Sequence, residues 1–339
     1  MLISEIGEFG LIGRIKEGTP LPRNGVVVGI GDDVAVLRAA EGRYLLATCD
    51  IQVEGVHFLK DKISPYQLGR KAVAINVSDI ASMGGQPRYL LVSLNLSADA
   101  TVEYTDALYQ GLWEEAGRFG VDIVGGNVSR SPAGTIIDVF LLGEAEPEGL
   151  LLRSGARPGD LILITGELGN SAAGLTLLLN PDISCPEEHA GAVKAAHLTP
   201  TPRLKEGQLI ARSKSASAMI DLSDGLASDI TRICEASRVG ATIWAQHIPI
   251  SLATRAVAQL VGKDPLDLAL FGGEDYELLL TAPPEKANEL AAAVLPATGT
   301  PLTVVGEIAP SQEGKTLVLK TGERVPLEAR GWDHFRQKG

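Results

Sequence analysis

Cysteine is scarce. Cys49, Cys185 and Cys234 are spread over 339 residues with no paired spacing, which excludes a disulfide framework, a zinc cluster of cysteines and a dithiol redox pair and suits a reducing cytosol. Basic residues are also in the minority. With 30 of them against 42 acidic ones, the formal charge of −12 argues against nucleic acid or an anionic membrane surface as a partner. No apolar run reaches the length of a membrane span, and the opening MLISEIGEFG carries no basic leader, so the expectation is a cytoplasmic protein. The five histidines fall in no paired motif, and no Ser-His-Asp set or reactive-cysteine setting suggests a covalent enzyme intermediate. A Walker site is missing too. The glycine-rich turn Gly166–Gly174 lacks the Gly-Lys-Ser/Thr ending that bridges terminal phosphates, so it reads as a helix-capping turn.

What is present is enough apolar sequence, 45%, for two cores of ordinary size. Gly, Pro and charge concentrate between residues 145 and 158, which places a domain junction near 148 and gives domains 1–148 and 149–339. The fold class is α/β or α+β throughout. A short amphipathic helix covers residues 4–17, and Ser64-Pro65 caps a helix running to about Met83. Strands are expected near 26–28, 44–47, 89–96, 121–124, 135–143, 160–165, 217–221, 241–245, 277–281 and 302–308. Further helices are expected near 102–119, 175–179, 202–211, 226–237, 252–261 and 285–294.

The chemistry concentrates in acids. Asp32 and Asp33 follow Val26–Val28 and Gly-Ile-Gly in a turn, and Asp50 is expected at the end of the next strand, with few basic residues nearby to pair them. Asp79 shares a helix face with Leu68, Ala72 and Ile75, where an unpaired carboxylate is costly, so a basic side chain or a cation must neutralise it. Hard divalent cations take such oxygen ligands, although Asp is also ordinary in solvated turns. Gly125-Gly126-Asn127 after a strand, Asp221-Leu-Ser223-Asp224-Gly225 before a helix, and Gly272-Gly273-Glu274-Asp275-Tyr276-Glu277 before a strand are each ordinary turns in isolation. Asp224 can equally be a helix cap.

Read in order, GIGDDVAV, CDIQVEGVHF, NVSDIASMGG, GGN, RSGARPGD, MIDLSDGL, FGGEDYEL and RGWDHF resemble the thiamine-monophosphate kinase family, from Glu5 to Phe335. That family is grouped with aminoimidazole ribonucleotide synthetase and is unrelated to P-loop kinases. The resemblance implies ATP-dependent phosphorylation of thiamine monophosphate to thiamine diphosphate. It further implies several Mg²⁺ ions at Asp32, Asp33, Thr48, Cys49, Asp50, Asp79, Asp221 and Asp224. Tyr109, Gly126, Asn127, Arg153 and Ser223 match ATP positions, and His57, Glu274 and Trp332 match thiamine phosphate positions. It implies a homodimer sharing the sheet of the N-terminal domain, followed by a C-terminal α/β sandwich. Asn127 and Cys49 depart from the family, many members of which carry Asp and Thr there. Rival readings are another ATP-using synthetase of the superfamily, and a non-catalytic nucleotide or divalent-ion sensor. Selenophosphate and hydrogenase-maturation relatives usually need a reactive cysteine near a terminus, which this chain lacks.

Overall fold

The chain begins with the helix α1 (Ile3–Gly18), kinked at Gly7, in a computed structural model that describes residues 3–19, 25–39 and 42–329. Strands β1 (Val26–Val28), β2 (Ala35–Arg38), β3 (Tyr44–Val53), β4 (Gln86–Leu96), β5 (Asp122–Arg130) and β6 (Ile136–Ala145) form one sheet, ordered β1-β2-β3-β6-β4-β5. Helices α2 (Pro65–Ser82) and α3 (Val102–Arg118) cover one face, burying Leu68, Val73, Val77, Leu108 and Leu112 against Leu46, Val92, Ile137 and Val139. The other face carries exposed Ile51, Tyr89, Leu91 and Phe140. Alternation along each strand sends neighbouring side chains to opposite sides, so one sheet has a core face and an open apolar face.

Two strands are longer than their apolar runs suggest. Asp50 lies inside β3 rather than at its end, because pairing with β6 continues from Tyr44 to Val53. Likewise Gly125-Gly126-Asn127 lie inside β5, paired in parallel with Leu91, Val92 and Ser93, and do not form a turn. Cross-strand pairing overrides glycine here. A Cβ on Gly126 would meet the Val92 carbonyl at 1.9 Å, so the glycine is required by close approach of two strands.

The second sheet contains β7 (Leu161–Thr165), β8 (Ala218–Asp221), β9 (Gly240–Trp244), β10 (Leu278–Ala282), β11 (Leu302–Ala309), β12 (Lys315–Val318) and β13 (Arg324–Pro326), ordered β13-β12-β9-β11-β7-β10-β8. It is covered on both faces, as expected of an α/β sandwich. Ile230 and Ile233 of α7 (Leu226–Ser237) and Leu270 of α9 (Pro265–Phe271) pack on Ile162, Ile220 and Leu279. Ile210 of α6 (Leu204–Ser213) and Leu290 of α10 (Pro284–Thr298) pack on Leu163, Met219 and Leu280. Helices α4 (Asn170–Leu179), α5 (Glu187–Leu198) and α8 (Leu252–Leu260) make a satellite cluster around Val193 and Val257. The periodicity reading lacked α5, α9, β12 and β13, and α4 starts earlier than expected. Its first turn is capped from outside by Asp275, whose carboxylate accepts from the Gly169 and Ser171 amides at 2.7 and 3.1 Å. The glycine-rich turn is thus a cap and not a phosphate cradle.

Helix α2 positions the rest. Ser64 and Gln67 form a reciprocal capping box at its start, with Pro65 in the first turn. Nearly all of it is buried, since one side faces the first sheet and the other meets the second domain. Gly207 of α6 lies on Ala81, where a Cβ would come within 2.1 Å of the Ala81 carbonyl. No helix among the described residues is long and apolar enough to cross a membrane.

Candidate active site

The acids gather where α2, β3, β8 and the β1–β2 turn meet. One carboxylate oxygen from each of Asp33, Asp79 and Asp221 lies within 4.8 Å of the others. Hydroxyls fix each of them. Ser82 donates to Asp33 at 2.8 Å, Thr48 to Asp79 at 2.5 Å and Ser78 to Asp221 at 2.7 Å. Ser78, Asp79 and Ser82 project from consecutive turns of α2, so a single helix sets three of the six groups.

Burial and repulsion from neighbouring acids make Asp79, Asp221, Asp50 and Asp32 reluctant to ionise. Burial, then Asp50, Asp221 and Asp33, push Asp79 well above the usual carboxylate range. Burial and Asp33 push Asp221 up to about 8. Asp50 rises to about 6 through burial, Asp224, Asp138 and Asp33, and Asp32 to about 6 through burial and Asp33, against the pull of Arg153. All these groups bind protons more tightly folded than unfolded, so their contribution to stability is greatest below the unfolded value and is lost as pH rises through the folded ones. In chelator the melting temperature is expected to fall by roughly 5 °C or more between about pH 5 and about pH 8, and Mg²⁺ to remove most of that fall. Thermal melts check this; a flat profile in chelator contradicts it.

Contrary to the expectation for the first acidic turn, Asp33 does have a basic partner, and an arginine also reaches Asp224 and Asp229. Arg153, from the segment between the domains, holds Asp33 through Nε at 2.9 Å and through Nη2, and its backbone amide lies 3.3 and 3.4 Å from the Asp32 carboxylate oxygens. Arg232 of α7 pairs with Asp224, lies 3.4 Å from Asp229 and sits 4.0 Å over the Phe9 ring of α1. Asp224 does not cap α7. The cap position is Gly225 without a side-chain bond, and Asp224 instead donates its backbone N–H to Asp229 at 3.1 Å. Asp79 keeps no basic partner among the described residues, only the Thr48 hydroxyl and other acids.

The motif Gly272–Glu277 divides its acids among three tasks. Glu277 is buried against Arg203 and the Thr165 hydroxyl, and Asp275 is the α4 cap. Glu274 alone turns toward the site, taking Lys71 of α2 at 3.0 Å and His197 of α5 at 3.2 Å. Burial alone would raise its carboxyl, but Lys71, His197 and His57 together hold it below the usual range. Glu274 and Tyr276 both have left-handed backbones, φ 63° and 51°, a conformation that non-glycine residues keep only where surrounding contacts enforce it. Those contacts are Glu274 N–H to the Ser223 carbonyl at 2.8 Å and Tyr276 N–H to the Leu222 carbonyl at 2.9 Å. They lay one motif along the other.

Comparison with known proteins identifies the family of the chain. Residues 31–145 match AIR synthase related protein, N-terminal domain, and residues 157–318 match AIR synthase related protein, C-terminal domain. Thiamine-monophosphate kinase of Aquifex aeolicus is 38% identical over 335 residues, covering 99% of this chain and all of its own length. The chain belongs to the thiamine-monophosphate kinase family. The family's Bacillus subtilis member is 37% identical over 97% of this chain and 99% of its own. A solved family structure, AaThiL complexed with AMPPCP and TMP, superposes with a TM-score of 0.85 at 36% identity, covering 98% of this chain and 99% of that one.

Most of the positions matched to the family from sequence fall in two places, with Tyr109 in neither. Asp32, Asp33, Thr48, Asp50, Asp79, Asp221, Asp224, Arg153 and Ser223 surround the acid cluster, and Glu274 and His57 lie beside it. His57 accepts the Val53 amide on Nδ1 at 3.0 Å. Gly126 and Asn127 line a separate cleft of about 280 Å³ with Leu91, Ser93, Asp138 and Phe140, on the open face of the first sheet. Exposed Cys49 alternates with Thr48 and Asp50 in β3 and so also faces away from α2. Tyr109 lies on α3, half-buried, its ring 5.6 Å from that of Trp113. Trp332 lies outside the described residues. Sequence reading missed Lys71, His197, Asp138 and the part played by Asp229. A lysine directly before the apolar run Ala72–Ile75 of α2 was the available signal for Lys71, whereas Asp138 looks like any outward strand residue.

Proposed function

We infer that the protein transfers the γ-phosphoryl group of ATP to thiamine monophosphate, giving thiamine diphosphate, by direct in-line attack in a site that needs divalent cations. The observation that carries this reading is the triangle of Asp33, Asp79 and Asp221, the first two half-buried and the third buried. Its donors are all oxygen, and Asp79 has only a hydroxyl and other acids for neighbours, which fits a hard cation such as Mg²⁺. Asp33, Asp79 and Asp221 would hold the metal, with Asp32, Asp50 and Asp224 completing the acidic wall and Thr48 and Cys49 belonging to the same strand. When bound, Mg²⁺ supplies the charge that neutralises phosphate oxygens in transfer. The protein's own part is placement. Ser78, Ser82 and Thr48 orient the carboxylates, Arg153 and Ser223 are assigned to ATP and His57 and Glu274 to the acceptor, and Trp332 is assigned to the acceptor by its match to the family alone. An attacking phosphate oxygen is already anionic, so no strong general base is required.

The open face of the first sheet supports a homodimer. Ile51, Tyr89, Leu91 and Phe140 are exposed there, and a second copy laid on this face would enclose the cleft of Asn127 and Asp138 for nucleotide. The division between the domains is placed near residue 148.

The test of the reading is to incubate the protein with Mg²⁺-ATP and a panel of thiamine forms and identify products by mass. Thiamine diphosphate from the monophosphate is expected; ATP bound without turnover of any thiamine form overturns the kinase reading. Within it, Asn127→Asp is expected to stay active and to lower the Mg²⁺ concentration for half-maximal rate, because a second carboxylate beside Asp138 in the nucleotide cleft offers a charged oxygen to a cation carried by ATP. A folded but dead variant would show that the neutral amide has its own task, such as donating to a phosphate.

A further inference from the structure

Glu274 is an unusual candidate for recognising a cationic substrate, because its charge is already answered from within the protein. Lys71 reaches it from beneath, with a side chain only 1% exposed, while the Glu274 side chain is 27% exposed on its outer side. Oε1 takes the ammonium at 3.0 Å and Oε2 lies 3.2 Å from His197 Nδ1. His197 is also 2.9 Å from the Ser171 hydroxyl through the same nitrogen, and burial and Lys71 hold its value down at about 4, so it is neutral. The hydrogen bond of this nitrogen is with Ser171, so the neutral ring is only a close neighbour of Oε2. Oε1 has the Lys71 ammonium for partner, and the exposed outer side of the carboxylate keeps lone pairs to spare. The group retains its capacity to accept hydrogen bonds while its field is cancelled.

Thiamine monophosphate presents two features that a carboxylate can read: a cationic thiazolium and an exocyclic amine on the pyrimidine. We propose that Lys71 is a positioning residue which neutralises and orients Glu274, so that this carboxylate reads the amine as a hydrogen-bond acceptor and does not serve as counter-charge to the thiazolium. This rests on the kinase reading above. Lys71 leaves α2 two turns before Asp79, so one helix sets both the acceptor-reading group and the metal-binding acids. The left-handed backbone at Glu274 directs the side chain into Lys71 and His197.

A charge-swap series in the full-length protein tests it by steady-state kinetics. Lys71→Met and Glu274→Gln each leave a buried partner unanswered, and each is expected to raise KM for thiamine monophosphate about tenfold or more. The double variant Lys71→Met/Glu274→Gln replaces the pair with neutral groups of like shape and keeps a carbonyl acceptor. It is expected to return KM to within about threefold of wild type, with KM for ATP unchanged throughout. A double variant whose KM stays raised tenfold or more shows that the negative charge itself is read and overturns the proposal. So does a Lys71→Met variant whose KM falls. If Lys71→Met does not fold, the double variant, with no buried charge left unpaired, still decides. Wild-type protein that fails to phosphorylate thiamine monophosphate would overturn the functional reading, which is a separate outcome from either of these.

Discussion

Asp79→Asn is expected to lower turnover by about a hundred- to a thousandfold, the range lost when one preorganised electrostatic group is removed, and at the same time to stabilise the metal-free protein. The two effects have one cause. Asp79 is half-buried among Asp33, Asp50 and Asp221 with only the Thr48 hydroxyl as a favourable partner, so its charge is a cost until a cation arrives. An amide of the same shape keeps an acceptor for Thr48 and removes the repulsion. Melting curves in chelator should therefore shift upward for the variant, and the shift that Mg²⁺ gives wild type should shrink. Turnover within tenfold of wild type would remove Asp79 from the metal site, and a destabilised metal-free variant would show that the carboxylate has a counter-charge.

Arg153→Met is expected to act in the opposite sense. Arg153 is the basic partner of Asp33, and its removal leaves a buried carboxylate unanswered beside Asp221 and Asp79. Breaking such a pair from one side typically costs about 3–5 kcal/mol, and that cost should appear in chelator. Mg²⁺ should recover most of it, since a cation can take over the neutralising task. The variant should also bind ATP more weakly if the guanidinium meets phosphate. Equal destabilisation with and without Mg²⁺ would instead make Arg153 a strut between the domains and refute its role as counter-charge.

The course of the chain was legible where local rules decide it. Ser64-Pro65 and the helical spacing of apolar residues along α2 mark that helix, and the placement of Asp79 on a face with Leu68, Ala72 and Ile75 follows from spacing alone. Legibility failed where partners come from far away. Asp50 and Asn127 lie within strands because β6 and β4 extend alongside them, a fact of pairing and not of the local run. The same holds for charges. Arg153 reaches Asp33 across 120 positions and Lys71 reaches Glu274 across about two hundred, so neither pairing leaves a trace in spacing. In the Gly272–Glu277 motif, sequence showed acids in a row, and only the fold assigns them to a cap, a buried ion pair and a reading group.

The position of α2 between the sheets has a consequence for inheritance. Its contact with α3 is made through Gly69 and Gly111, where a Cβ would come within 2.1 and 2.0 Å of backbone carbonyls, and its contact with α6 through Gly207. Asp33 and Asp79 come from the first half of the chain and Asp221 from the second, and the Ser78–Asp221 bond crosses between them. The two halves therefore cannot be traded as modules: a recombinant joining this N-terminal half to a distant relative's C-terminal half must match the Gly207 contact on Ala81 to within a methyl group, or the carboxylate triangle is pulled open. Drift in either half is constrained by the other, and the residues under that constraint include small ones that touch neither metal nor substrate.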